Sequence, residues 1–154
     1  MVGVGNDLRC DDAAGPEAVR RLREQRGVHV RVHHGEPVGL LELWRDAGAV
    51  VLVDTVRSGA PAGTIHRIDA STEPIPSPLR RTSSHTIGLA EAIELGRTLG
   101  QLPERVVVYG IEGIRFEAGT EMSEPVSAAI DPLADAVWRE AHALLTRQGP
   151  GLLA

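Results

Sequence analysis

At 154 residues, 42% hydrophobic and 24% charged, the chain has the size and make-up of one ordinary globular domain, residues 1–154, with a single core. A net charge of −5, with the densest arginine stretch, Arg20–Arg26, interrupted by Glu24, argues against a nucleic-acid partner. The lone cysteine, Cys10, excludes an intrachain disulfide and a multi-cysteine zinc site, and no apolar run approaches the ~20 residues of a membrane span, so a cytoplasmic protein without membrane insertion is expected.

Val2–Val4 reads as a short first strand that ends in the turn Gly5–Asp12. A helix over about Gly15–Gln25 follows, with Pro16 suited to its first turn and Gly27 stopping it. Val28–Val32 alternates apolar and polar residues, as a half-buried strand does. A short helix near Val38–Ala47 carries the stripe Leu40, Leu41 and Trp44. Ala49–Val53 is a continuous apolar run, the mark of a strand covered on both faces, and it stops at Asp54.

Beyond the turn Gly59–Gly63, Thr64–Ile68 is expected to be a strand that hairpins back. Ser71–Ser84, with Pro74, Pro76 and Pro78, reads as a long loop, a length more often functional than idle. Ser84 then caps a helix that carries Ile87, Ala90 and Ile93 inward to about Leu99. Arg105–Tyr109 is the last buried strand, and a closing helix spans about Pro125–Thr146, kinked or restarted at Pro132. With aromatics at only 3%, Val, Leu, Ile and Ala must fill the core. Strands alternating with helices predict a three-layer α/β/α fold with a mostly parallel sheet and helices on both faces.

In such a sheet ligands bind outside the carboxyl ends of the strands. Asp12 follows the first strand, Asp54 closes the third and Glu112 follows the last, so one rim gathers all of them, and His85 opens a helix where it can swing over that rim. Two carboxylates and an imidazole, Asp12, Asp54 and His85, form a ligand set for a divalent ion. The bland alternatives stand beside this reading. Asp11 and Asp12 could cap a helix and meet its positive end, worth roughly 0.3–1 kcal/mol. A lone His at a helix start is commonly structural. Asp54 is the sharper signal, because burying an unpaired carboxylate costs several kcal/mol.

Other motifs carry less. Gly3-Val4-Gly5-Asn6 resembles a dinucleotide fingerprint, but Leu8 stands where the third glycine should be, and His33 and His34 replace the acidic residue that would hold a ribose. The cluster His33-His34-Gly35-Glu36 reads as surface histidines, since neighbours on an extended chain face opposite ways. Cys10 reads as a small turn residue rather than a nucleophile. No Gly-x-Ser-x-Gly elbow supports an esterase built on Ser83 or Ser84. A peptidyl-tRNA hydrolase fails on the missing basic surface.

The stretch Gly3–Gly15, the strand ending in Asp54, the segment Ser84-His85-Thr86-Ile87-Gly88-Leu89 and the strand end Gly110-Ile111-Glu112 resemble, in the same order, the nickel–iron hydrogenase maturation proteases, over roughly Val2–Ile130. That resemblance implies an about five-stranded sheet between helices. It also implies an endopeptidase that removes the C-terminal extension of a hydrogenase large-subunit precursor once nickel is in place. Asp12, Asp54 and His85 would then be both its catalytic and its metal-contacting residues, with nickel supplied by the substrate and no other cofactor; the expected state is a monomer. Two departures bear on the target: Asp12 stands where members often have Glu, and His34-Gly35-Glu36-Pro37 stands where they usually have Asp-Gly-Gly-Thr. The alternative of another class is a non-catalytic nickel-sensing chaperone for the immature subunit.

Overall fold

In the computed structural model, which describes residues 1–80 and 88–148, five strands form one sheet. Their spatial order is β2 (Arg31–His33), β1 (Val2–Val4), β3 (Ala49–Val56), β5 (Arg105–Glu112) and β4 (Ile65–Asp69). The first four run parallel, and β4 closes one edge antiparallel to β5. Alternation along β3 divides its side chains between two cores. Ala49, Val51 and Val53 join α1 (Ala14–Arg20) and α4 (Glu124–Gln148), whereas Val50 and Leu52 join α2 (Pro37–Trp44) and α3 (Leu89–Thr98). This is the expected three-layer arrangement.

The apolar stripe of α2 is as expected, with Leu40, Leu41 and Trp44 all buried. Glu36 caps that helix by accepting the Gly39 N–H, with Pro37 at its start. The expected cap of α3, Ser84, lies outside the described residues. Within them the helix opens at Gly88, whose N–H donates to Glu91 Oε2 at 2.9 Å. The closing helix is neither stopped nor restarted at Pro132. A proline in a helix interior costs roughly 3 kcal/mol. Val126, Ile130, Leu133, Val137, Ala141 and Leu144 are buried on both sides of it, and each large apolar side chain offsets roughly 1.5–3 kcal/mol.

Strand boundaries differ from expectation for a geometric reason: a partner's length sets how far a strand is paired. β2 begins at Arg31 rather than Val28 because β1 offers only Val2–Val4 to pair with, and Val28 and Val30 pack on the core without a ladder. β3 and β5 pair over eight residues, from Ala49↔Arg105 to Val56↔Glu112. Asp54 therefore lies within β3, two residues before its end, and Glu112 is the last residue of β5 rather than its successor. The strand after Gly63 does fold back, but onto β5 and not onto β3.

Candidate functional site

Asp54 continues the series Val50, Leu52 along β3, so its side chain faces the α2/α3 side at the carboxyl edge of the sheet. It is 4% exposed. Its Oδ1 accepts the Thr55 N–H at 2.8 Å, and no cationic side chain among the described residues lies close enough to offset its charge. Burial pushes the Asp54 carboxyl well above the usual carboxylate range, and the negative charge of Asp12 pushes it further. The two carboxylates, 42 positions apart in the chain, thus share one site.

Asp12 reaches that site through a turn built on glycine. Gly5 has φ +146°, and a Cβ there would lie 1.9 Å from the Asp12 carbonyl oxygen, so no other residue fits. The turn Cys10–Ala13 leads into α1, and Asp12 Oδ2 accepts the Asn6 N–H at 3.1 Å. Gly15 brings α1 against the sheet: a Cβ would lie 2.4 Å from the Val53 carbonyl oxygen and 2.6 Å from that of Val4. Cys10 is buried with φ 48°, which fits the turn role read from the sequence.

His85 lies outside the described residues, and among those described no three His, Cys, Asp or Glu side chains converge as a metal site. What the described residues supply is the acidic pair. Two buried carboxylates, the charge of Asp12 raising the proton affinity of Asp54, fit a divalent cation, whose charge would relieve both burial and repulsion. Glu112 is buried at the same edge and holds the loop after β3, accepting Gly59 N–H and Ser58 Oγ, each at 2.8 Å.

Of the two histidines of the β2–α2 turn, His34 is exposed, as expected of a surface group, whereas His33 is partly buried. His33 Nδ1 accepts the Gly35 N–H at 3.0 Å, burial lowers its proton affinity, and His34 Nδ1 lies 3.2 Å from the Gly5 carbonyl oxygen. This links the turn that departs from the usual family residues to the turn that carries Asp12.

Asp11 has a role that sequence reasoning missed. It is fully buried, and its carboxylate takes the N–H groups of Ile114, Arg115 and Ser123 at 2.9, 2.9 and 2.6 Å, and the Ser123 hydroxyl at 2.9 Å. It latches the segment after β5 over the Asp12 turn. Thr55 Oγ1 donates to the Asp11 carbonyl at 2.9 Å, which ties the same turn to β3. A hint was present in Asp11-Asp12 itself: adjacent acids on a tight turn point apart, so one can be structural while the other faces the rim.

A family model described as hydrogenase maturation protease matches residues 34–140, a span that includes Asp54 and His85 but begins after Asp12. The chain is 27% identical over 121 residues to the hydrogenase expression/formation protein HupD of Thiocapsa roseopersicina, covering 76% of this chain and 55% of that protein. It is 28% identical to HupD of Rhodobacter capsulatus over 143 residues, 89% of this chain and 68% of the relative. The chain therefore spans about half the length of the first relative and two thirds of the second. Among solved structures, the hydrogenase maturating endopeptidase HybD from E. coli superposes with a TM-score of 0.69 at 23% identity, covering 96% of this chain and 91% of that one. The fold is therefore shared with HybD, and the family match over residues 34–140 makes this chain a member of the hydrogenase maturation protease family.

Proposed function

We propose that the chain is an endopeptidase that removes the C-terminal extension of a hydrogenase large-subunit precursor carrying nickel. The observation that carries this reading is the pairing of Asp12 and Asp54 at the carboxyl edge of the sheet, in a chain of this family. A lone buried acid beside a second acid is costly unless a cation joins them. Nickel within the precursor supplies that positive charge as part of the substrate, with His85 as the third contact.

Asp12 and Asp54 bind the incoming metal region and thereby seat the scissile bond at the rim. Hydrolysis adds a water oxygen to the peptide carbonyl carbon and breaks the carbon–nitrogen bond. One of the two carboxylates takes the water proton, which then passes to the leaving amine.

The test is mass spectrometry of a nickel-loaded precursor incubated with the wild-type chain or with Asp54→Ala. Loss of a C-terminal peptide with wild type alone supports a protease that depends on Asp54. Stable binding with no change in mass would instead support a chaperone of the immature subunit.

A further inference from the structure

A second polar cluster stands on the Asp54 face of the sheet, outside the proposed cleavage chemistry. Asp54 pairs in register with Gly110 on β5, and Gly110 pairs with His66 on β4, so the three form one cross-strand row. Neighbouring strands lie about 4.8 Å apart, which puts about 10 Å of sheet between Asp54 and His66. Gly110 places no side chain between them. The atoms nearest to a Cβ there belong to Val56, at 3.0 Å, whose buried side chain lies over the glycine, and to His66, at 3.8 Å.

The next residue on this face of β5 is Glu112, and it organises what surrounds it. Its Oε1 accepts the Gly59 N–H at 2.8 Å; its Oε2 accepts Ser58 Oγ at 2.8 Å and lies 3.4 Å from His66 Nε2. A carboxylate only accepts, so Nε2 carries a proton, and in the tautomer with its single ring proton there Nδ1 is an acceptor. The Glu112 side chain is 3% exposed and that of His66 22%, so His66 is the member of the pair that a ligand can reach. Nδ1 has no hydrogen-bond partner among the described residues.

We propose that His66, positioned by Glu112, is a substrate-binding residue that accepts a backbone N–H from the precursor's C-terminal segment on the β4 side of the cleavage position. A reachable ring acceptor, one glycine from Asp54 in the same row, fits an extended peptide laid across the carboxyl edge of the sheet. Glu112 fixes the ring and the β3–β4 loop together, so the acceptor is in place before substrate arrives. The inference rests on the proposed endopeptidase activity.

Steady-state cleavage of the nickel-loaded precursor by wild type, His66→Leu, His66→Asn and His66→Gln tests it, with thermal melts confirming that each variant folds. Loss of an interaction made equally in ground and transition states raises KM and spares kcat. His66→Leu is expected to raise KM by about tenfold with kcat within about twofold, the size of one lost hydrogen bond. His66→Asn, whose Oδ1 falls where Nδ1 stood, should bring KM back to within about threefold of wild type, a small residual cost. His66→Gln should not, because its amide extends toward Glu112. An unchanged KM in His66→Leu, a fall in kcat instead, or equal behaviour of the Asn and Gln variants would overturn the proposal and leave the endopeptidase reading standing. A wild-type chain that leaves the precursor intact would overturn both.

Discussion

Asp12 and Asp54 oppose each other across the carboxyl edge of the sheet. Burial raises the proton affinity of Asp54, and the Asp12 charge raises it again. The sign of the stability effect follows. With a folded-state pKa above the unfolded one, the native state binds the extra proton, so stability falls as pH rises from the unfolded carboxylate value through the folded one. Asp54→Asn removes the charge and keeps an oxygen for the Thr55 N–H. In the metal-free protein at neutral pH this variant should melt higher than wild type, by about 2–4 °C for each kcal/mol relieved. The gap should close near pH 4, where both chains are neutral at this position. Calorimetry against pH checks it: a variant that melts lower at pH 7 would mean that the carboxylate is already compensated. Cleavage by the same variant should be abolished, since the neutral amide neither pairs with a cation nor accepts a proton from water.

Asp11 and Asp12 should separate cleanly under mutation. Asp11 holds three backbone N–H groups and one hydroxyl in a buried place, so Asp11→Ala strands donors that nothing else meets. Hydrogen bonds to a charged group contribute about 1.5–3 kcal/mol each, and the losses overlap, so a total of about 3–5 kcal/mol is expected. Asp12→Ala should cost far less stability while removing activity. Urea unfolding of the two variants gives the comparison. Equal midpoints would refute the division of labour.

The sequence displays the scaffold well because its signals are local. The apolar run before Asp54, the Leu40–Trp44 stripe and Gly27 at φ +84° each report on nearby packing or turn geometry. The burial of Asp54 was legible as well, since the apolar run leads straight into it, although the strand goes on for two residues more. What stayed hidden depends on partners distant in the chain. The Asp11 latch reaches residues more than 100 positions away, and the link from His66 to Glu112 spans 46. Neither has a spacing of its own. The length of β2 was hidden likewise, because β1 determines it.

Gly15 controls how closely α1 approaches the sheet, and so where Asp12 sits. The atoms that a Cβ would meet are the carbonyl oxygens of Val53 and Val4, backbone atoms that cannot rotate away. Gly15→Ala must push the helix off the strands. Forced overpacking of this kind costs typically 1–3 kcal/mol. Activity should fall by more than the stability loss accounts for, because the displacement separates Asp12 from Asp54. Cleavage measured well below the melting temperature isolates that effect, and full activity there would show that the close approach is only structural.

On the opposite side of the sheet, Glu140 of α4 is held by Arg67 of β4 through bonds of 2.7 and 3.0 Å and by the Tyr109 hydroxyl at 3.1 Å. The Arg67 contact, with help from Tyr109, lowers the Glu140 pKa, while burial opposes it. A depressed folded-state pKa gives stability that is complete above the unfolded carboxylate value and lost as pH falls through the folded one. Because the Arg67 side chain is 46% exposed, solvent screening limits the pair to about 1 kcal/mol. Glu140→Gln should therefore lower the melting temperature at pH 7 by about 2–4 °C, and the difference should vanish below about pH 3. Cleavage should be untouched, since Tyr109 and Glu140 belong to the α1/α4 side and Asp54 faces α2 and α3. A variant that loses activity in step with stability would mean that the two faces of the sheet are coupled through β5.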